Sequence, residues 1–183
     1  MNFVQKHFGR LGNSLFQYAY IYAQYREGNI PDIYLQDPKY FEKYKNEIIL
    51  LFGENTGYDP RVSLHIRRTD MVTNNFDVNL SETDYYDKAI AMFPNYKFLV
   101  FSDDIPWCKE RFKGEQFEFS EGLTEEQDLK LMASCCHNII ANSSFSWWAA
   151  YLNSNIDKKV ICPKQNYIDG QTRRINPPEW ITI

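Results

Sequence analysis

Positive charge and long apolar runs are scarce in this sequence, and each scarcity excludes a class of protein. The 183 residues carry 20 Lys and Arg against 24 Asp and Glu, so the net charge of −4 does not favour nucleic acid as a partner. No apolar run is long enough to span a bilayer, and no basic and then hydrophobic leader begins the chain. We therefore expect a soluble, cytoplasmic protein that does not associate with membranes.

Cysteine and histidine are also too few and too dispersed for two common kinds of site. The four cysteines include a vicinal pair, but they have neither the C-x-x-C spacing of a metal site nor the density of a secreted disulfide scaffold. The three histidines lie at no spacing that suits zinc ligands. We expect reduced thiols and no zinc site. With 44% apolar side chains, the chain is nevertheless long enough to bury a proper core.

Strongly polar groups follow an apolar stretch at residues 61–66, which we interpret as a buried strand. Alternation along a strand places His65 and Arg67 on one side, and Arg68 with Asp70 on the other, where these two would form an ion pair. Because forked guanidinium groups suit phosphate well, the stretch predicts a phosphate site. The alternative is a surface arginine pair neutralised by Asp70.

Strands and helices alternate regularly from residue 60 onward, which predicts an α/β fold with a parallel sheet and helices on both faces. The patterns predict strands at 2–7, 33–35, 61–66, 97–101, 116–119, 138–141 and 159–162. They predict helices at 14–26, 39–52, 106–112, 124–136 and 145–152, and one beginning at Ser81 with a capping box to Asp84.

Polar clusters follow the carboxyl ends of four predicted strands. The clusters are His65 with Arg67, Ser102 with Asp103, Ser120, and Asn142 with Ser143 and Ser144. Each cluster alone is typical of turns and helix caps. Because open α/β sheets bind ligands along this edge, the four together predict one site, where Arg67 and the helix-start N–H groups at residues 143 and 144 would bind a diphosphate.

Two other chemistries stay open at this point. Asp103 and Asp104 could hold Mn²⁺ or Mg²⁺ against a nucleotide diphosphate, but their order differs from D-x-D, and Asp after a strand is common as a helix cap. His65 beside Arg67 also resembles a phosphoryl-transfer nucleophile with its arginine. That interpretation lacks a second histidine near an acidic proton donor.

Four stretches of the chain resemble motifs of the α-1,2-fucosyltransferases, glycosyltransferase family 11. They are GRLGNSLFQYA at 9–19, VSLHIRRTD at 62–70, FLVFSDD at 98–104 and DLKLMASCCHNIIANSSFSWW at 128–148. The resemblance implies an inverting, metal-independent transfer of L-fucose from GDP-fucose to a glycan hydroxyl, with no cofactor. It also implies a GT-B-like pair of Rossmann-type lobes.

The same resemblance implies the site residues and the domains. His65 and Asp128 would lie near the guanosine, Arg67 at the diphosphate, residues 143–145 around the phosphates and Asn13 beside the sugar. The resulting prediction assigns catalysis to Arg67, Asn13 and His65, donor binding to Gly9, Arg10, Gly12, Arg68, Asp70, Ser102, Asp103, Asp128, Asn142, Ser143, Ser144 and Phe145, and metal binding to no residue.

We expect an acceptor-side lobe at 1–58, a GDP-sugar-binding lobe at 59–165 and a tail at 166–183. The segment at 20–61 is much shorter than in the family, so the N-terminal lobe would be reduced. A relative that binds a GDP-sugar or a glycan without catalysis is therefore the alternative function.

Overall fold

A computed structural model describes residues 11–27, 37–53, 57–170 and 176–183. The predicted strands at 2–7 and 33–35 lie outside these residues. The helices are α1 (Leu11–Arg26), α2 (Lys45–Phe52), α3 (Tyr85–Ala91), α4 (Ile105–Arg111), α5 (Glu125–Ser134) and α6 (Ser144–Leu152), with short 3₁₀ turns at Pro38–Tyr40, Glu42–Tyr44 and Leu80–Glu82. The strands are β1 (Asp59–Ile66), β2 (Phe98–Ser102), β3 (Phe117–Phe119), β4 (Cys135–Ile139), β5 (Val160–Cys162) and β6 (Ile181–Thr182).

All six strands form one parallel sheet in the order β3-β2-β1-β4-β5-β6. This is the strand order of the Rossmann fold, in which the order reverses between β1 and β4. The predicted α/β class with a Rossmann-type parallel sheet is confirmed. The reversal leaves a crevice at the carboxyl ends of β1 and β4. There the connection after β1 and the connection after β4 leave towards opposite faces of the sheet.

Strand β1 separates two apolar cores, because its side chains alternate between the faces of the sheet. Val62, Leu64 and Ile66 are fully buried on the face covered by α3 and α4. Ser63 and His65 point to the opposite face, where α1, α5 and α6 pack. The predicted alternation is therefore correct, and it brings His65 to the face that carries the helix starts described below.

Buried amides connect the sheet to the end of α6. Asn138 donates to Ser63 Oγ at 2.7 Å and to the Met132 carbonyl at 2.9 Å. Asn153 in turn donates to Asn138 Oδ1 at 2.8 Å and to the Cys135 carbonyl at 2.7 Å. Each of these buried amide groups has acceptors for its N–H donors. The network therefore holds β1, β4 and the end of α6 together without leaving these donors unpaired.

The described part of residues 1–58 packs on the core of the sheet. Phe16 of α1 lies 4.5 Å from Trp147 and 5.0 Å from Trp148, measured between ring centroids. Phe41 stacks on Trp148 at 5.6 Å, and Ile48 of α2 is fully buried in the same cluster. The division into lobes at 1–58, 59–165 and 166–183 stays a prediction.

Several predicted boundaries differ from the structure. Helix α5 ends at Ser134, two residues early, because the extended chain from Cys135 pairs with β1. Helix α3 begins at Tyr85, and the predicted capping box at Ser81 is wrong because Asn79 caps a 3₁₀ turn there instead. The tail adds a last strand, β6, which the sequence analysis missed because only two residues pair with β5. Within the described ranges, no helix is long and apolar enough to cross a membrane.

Candidate functional site

A pocket of about 140 Å³ lies at the carboxyl edge of the sheet, where the strand order reverses. Its position is the one in which open α/β sheets bind ligands. The residues that line it are Gly12, His65, Arg67, Phe101, Ser102, Asp103, Glu125, Asp128, Ser143, Ser144 and Phe145. Nine of these were predicted from the sequence, and the structure therefore brings most of the predicted polar clusters to one place.

Among the described residues, Arg67 is the only arginine that lines the pocket. Its side chain is 14% exposed and makes a two-pronged contact with Asp70, with Nε 2.7 Å from Oδ1 and Nη2 2.5 Å from Oδ2. Nε also lies 3.4 Å from Asp103 Oδ2. The hydrogen bond to Asp70 raises the pKa of Arg67 further, so the guanidinium is a permanent positive charge in the pocket lining.

The predicted pairing of Arg68 with Asp70 is wrong. Strand β1 ends at Ile66, so strand alternation no longer decides the direction of the side chains, and Asp70 turns back onto Arg67. Arg68 points away from the pocket lining, 3.3 Å from Asp104 and with its guanidinium 4.6 Å above the Trp107 ring. The structure thus gives the two arginines different surroundings, and the donor-binding roles of Arg68 and Asp70 stay predictions.

Asp103 holds the chain that follows β1. Its carboxylate accepts hydrogen bonds from the Arg68 N–H at 2.9 Å, the Thr69 N–H at 3.4 Å and the Thr69 hydroxyl at 2.6 Å. Burial raises the pKa of Asp103, but these hydrogen bonds and Arg67 outweigh burial and bring it below its ordinary value. Asp103 is therefore ionised at neutral pH and fixes the position of Arg67 from the β2 side.

His65 is a neutral side chain in the lining of the pocket. It is 6% exposed, and its ring lies 5.7 Å from that of Phe145. Burial lowers the pKa of His65 to about 4, a shift that Asp103 opposes and Arg67 assists. Its Nδ1 is buried and has no hydrogen-bond partner among the described residues. A polar atom left in this state is suited to a hydrogen bond with a ligand.

The start of α6 meets α1 at the pocket. Ser143 caps α6, because the Phe145 N–H lies 3.3 Å from its Oγ, while the Ser144 hydroxyl donates to Asn13 Oδ1 of α1 at 2.7 Å. Gly12 lies so close that a Cβ there would come within 2.5 Å of the Phe145 nitrogen. The N-terminal N–H groups of a helix attract anions, and those of α6 lie at a pocket that Arg67 also lines.

Asp128 lines the pocket from the first turn of α5. Its Oδ1 accepts a hydrogen bond of 2.6 Å from the Ser120 hydroxyl, which follows β3. Burial raises the pKa of Asp128, and the hydrogen bond from Ser120 only partly offsets this effect. A half-buried carboxylate with one engaged oxygen can still accept hydrogen bonds from a ligand.

Asn142 has a different position from the one predicted. Its side-chain amide donates to the Val78 carbonyl at 2.9 Å and to the Asn166 carbonyl at 3.0 Å, and it does not line the pocket. These two hydrogen bonds connect the loop after β1 with the loop after β5. An isolated bridge between Asp77 and Tyr167 joins the same two loops. Gly9 and Arg10 lie outside the described residues.

Two lining residues were missed by the sequence analysis. Phe101 is an inward-facing apolar residue of β2, and nothing in its sequence distinguishes it from other core residues. Glu125 is exposed in the first turn of α5, where an acidic residue is typical of any helix start. Its only signal is its position three residues before Asp128.

The described residues contain no group of three or more His, Cys, Asp or Glu side chains that could hold a metal ion. Asp104 caps α4 through the Trp107 N–H at 3.3 Å and pairs with Arg68, and Asp103 binds three donors of the loop after β1. Both carboxylates therefore have structural contacts, although their adjacency had suggested a metal site. Metal independence itself stays a prediction.

Comparison with known proteins identifies the family. The profile of Glycosyl transferase family 11 matches residues 6–183. The chain belongs to this family. It is 37% identical over 175 residues to an alpha-1,2-colitosyltransferase of Escherichia coli, covering 81% of this chain and 60% of that protein. It is 34% identical over 132 residues to the O-antigen biosynthesis glycosyltransferase WbnK of Escherichia coli, covering 66% of this chain and 44% of that protein.

Mammalian proteins also match the chain, at lower identity. The galactoside 2-alpha-L-fucosyltransferase Sec1 of Mus musculus is 31% identical over 103 residues, which is 50% of this chain and 28% of that protein. The chain thus spans about half the length of the two bacterial relatives, at 44% and 60%. No solved structure gives a significant match. The predicted resemblance to family 11 is confirmed.

Proposed function

We propose that this protein is an inverting glycosyltransferase that moves L-fucose from GDP-fucose to a glycan hydroxyl. The observation that carries the proposal is the convergence of Arg67 and the start of α6 on one pocket where the strand order reverses. Both supply fixed donors for a diphosphate. The names of the relatives, a colitosyltransferase and fucosyltransferases, support a deoxysugar donor and an α-1,2 linkage.

The chemistry follows from the leaving group. When the bond from the sugar C1 to the β-phosphate oxygen breaks, negative charge builds on that phosphate while the sugar becomes cationic. Arg67 and the N–H groups at the start of α6 bind this growing charge more strongly than the charge of the ground state, which lowers the barrier. We propose that these donors stabilise the phosphate charge that a divalent metal stabilises in other transferases. Binding and transfer should therefore continue in EDTA.

Nucleotide selectivity would come from Asp128. A carboxylate accepts two hydrogen bonds from guanine, at N1–H and the exocyclic amine, whereas adenine presents no such pair. Ser120 fixes one oxygen of Asp128, which orients the carboxylate without removing its capacity to accept. The neutral His65 can share in binding the nucleoside, because its Nδ1 has no partner among the described residues.

Calorimetric titration with GDP, UDP and ADP tests the donor site. We expect GDP to bind most tightly, Asp128→Ala to weaken GDP binding, and the circular dichroism spectrum to stay unchanged. Glu126→Gln is a matched control, because this exposed neighbour pairs with Lys130 at 2.9 Å and does not line the pocket. Equal or tighter binding of UDP, or a strict requirement for Mn²⁺ together with loss of function when Asp103 is replaced, would contradict the proposal.

A second candidate function is binding without catalysis, because the segment at 20–61, expected on the acceptor side, is short. Such a family member holds a GDP-sugar or a glycan without transferring the sugar. Incubation with GDP-fucose and a panel of free glycans distinguishes the two. A fucosylated product detected by mass spectrometry supports transfer, and donor binding without product or GDP release supports the binding function.

A further inference from the structure

Glu125 and Asp128 line the pocket from the same face of α5. Residues three apart in a helix are neighbours on its surface, and at about 1.5 Å per residue Glu125 lies about 4.5 Å nearer the helix start. Helix α5 leads into β4 of the parallel sheet, so its start is at the carboxyl edge, where the pocket is. Glu125 therefore extends the lining beyond Asp128, in the direction that leads out of the sheet.

The three carboxylates of the described lining differ in whether they have partners. Asp103 accepts hydrogen bonds from the chain that follows β1, and Asp128 accepts one of 2.6 Å from the Ser120 hydroxyl. Glu125 forms no hydrogen bond or ion pair with another described residue. Both oxygens of the Glu125 carboxylate can therefore accept hydrogen bonds from a ligand.

A buried histidine in the same lining points to a ligand independently of Glu125. His65 is 6% exposed, and its buried Nδ1 has no hydrogen-bond partner among the described residues. Because buried polar atoms are nearly always paired, an unpaired one in a pocket lining marks a place where a ligand can bind. His65 comes from β1 and Glu125 from α5, so two elements of the fold border the same binding volume.

The charge of Glu125 limits which part of a nucleotide can lie against it. A carboxylate repels a phosphate, and this repulsion decreases with distance and is screened at an exposed side chain. In the proposed donor site the guanine lies at Asp128, and the diphosphate lies at Arg67 and the start of α6. The ribose joins these two parts, is neutral and carries vicinal 2′- and 3′-hydroxyls. The two oxygens of one carboxylate can accept a hydrogen bond from each hydroxyl.

We propose that Glu125 binds the 2′- and 3′-hydroxyls of the donor ribose and makes the site selective for ribonucleotides over deoxyribonucleotides. This inference rests on the proposed donor-binding function. The contact is remote from the bond that breaks at the sugar C1, so it stabilises the ground state and the transition state to the same extent. Loss of Glu125 should therefore raise KM for the donor and leave kcat unchanged.

Calorimetric titration with GDP and 2′-deoxy-GDP measures this selectivity. We expect the original protein to bind 2′-deoxy-GDP roughly five- to ten-fold more weakly than GDP, because one hydrogen bond to an exposed carboxylate is lost. In Glu125→Ala the two affinities should become nearly equal. Glu125→Gln should give an intermediate ratio, because its amide retains one acceptor oxygen.

Two controls separate the ribose contact from other effects of the Glu125 charge. Glu126→Ala removes an acidic residue from the same turn, but Glu126 pairs with Lys130 at 2.9 Å and does not line the pocket, so the ratio should not change. Inorganic pyrophosphate has no ribose, so its affinity should be unchanged or higher in Glu125→Ala, where the repulsion is removed. A lower pyrophosphate affinity in this variant would place the effect in the diphosphate site and overturn the ribose contact.

The remaining outcomes separate this inference from the proposed function. Equal binding of GDP and 2′-deoxy-GDP by the original protein overturns the ribose contact, and so does a ratio that persists in Glu125→Ala. If UDP binds as tightly as GDP while the ribose preference depends on Glu125, the ribose contact stands and the guanine-specific donor fails. If GDP is preferred without dependence on the ribose hydroxyl, the donor stands and the role of Glu125 fails. If no nucleotide binds, both proposals fail.

Discussion

Gly12 of α1 lies directly against the peptide bond between Ser144 and Phe145 at the start of α6. A Cβ on Gly12 would come within 2.5 Å of both the Ser144 carbonyl carbon and the Phe145 nitrogen. These are backbone atoms, which cannot rotate away as the end of a side chain can. The absence of a side chain at this position is therefore what allows α1 to lie against the start of α6 at the pocket.

Gly12→Ala should separate the two helices and damage the pocket. We expect a loss of about 1–3 kcal/mol in the free energy of unfolding, as for other overpacked positions, and a weaker affinity for GDP. Gly57→Ala is the matched control, because a Cβ there meets nothing within 4 Å. Thermal unfolding and calorimetry measure both effects. If Gly12→Ala and Gly57→Ala had the same free energy of unfolding and the same affinity for GDP, α1 would tolerate a shift away from α6.

Asn142→Ala should loosen the loops that follow β1 and β5 without changing the diphosphate contacts. The variant leaves the Val78 and Asn166 carbonyls without the amide that they share, which should cost about 1–3 kcal/mol. Hydrogen exchange should become faster at the Val78 and Ile168 amides, whose hydrogen bonds join these loops. The exposed Asn95→Ala is the control. Unchanged exchange at both amides would contradict the connecting role of Asn142.

The sequence predicts which side chains reach this site better than it predicts which residues they contact. Strand alternation placed His65 on the helix-start face, because side-chain direction along a regular strand follows from geometry alone. The same reasoning failed for Arg68 and Asp70, since both lie beyond Ile66 in a turn whose path depends on Asp103, 33 residues after Asp70. Contacts between distant parts of the chain leave no periodic signal in the sequence.

Residues 39–52 illustrate a second limit. Their apolar spacing predicted one helix, and Phe41, Tyr44 and Ile48 are indeed buried, but the chain forms two 3₁₀ turns before α2. Pro38 begins the first turn, and Asp37 caps it through the Lys39 N–H at 3.0 Å. An apolar stripe thus identifies the buried side of a segment, whereas local caps and packing decide whether the helix is continuous.

His65 should give the protein a measurable pH dependence of stability. Burial lowers the pKa of His65 to about 4 from the ordinary value of 6.5, so the unfolded chain takes up a proton between these values and the folded protein does not. Stability is therefore fully present above pH 6.5 and falls as the pH decreases towards 4. The fall attributable to this group should reach about 3 kcal/mol at most.

Denaturant titrations of the original protein and His65→Gln between pH 7 and pH 4 isolate this effect. The difference in the free energy of unfolding between the two proteins should change across this interval, with the original protein losing more stability at low pH. Burial also lowers the pKa of His137, but that contribution is common to both proteins and cancels in the difference. A difference that stays constant with pH would mean that the pKa of His65 is the same in the folded and the unfolded protein.

Arg67 and Arg68 should respond differently to the same substitution. Arg67→Lys replaces the forked guanidinium by a single ammonium, so the growing charge on the phosphate loses a two-pronged contact. The rate of transfer should therefore fall by about 100-fold or more. Its ion pair with Asp70 is partly exposed, so the loss of stability should be only about 1 kcal/mol or less. Arg68→Lys keeps the pocket lining intact but loses the guanidinium that lies above Trp107 and reaches Asp104.

For Arg68→Lys we therefore expect the larger loss of stability, about 1–2 kcal/mol, with transfer retained within about ten-fold. Values of kcat/KM and Tm for both variants decide between the roles. Near-normal transfer by Arg67→Lys would remove that residue from the phosphate site. A well-folded but inactive Arg68→Lys would instead move the phosphate to the Asp104 side of the loop, because only a ligand contact can make a change there affect transfer without affecting stability.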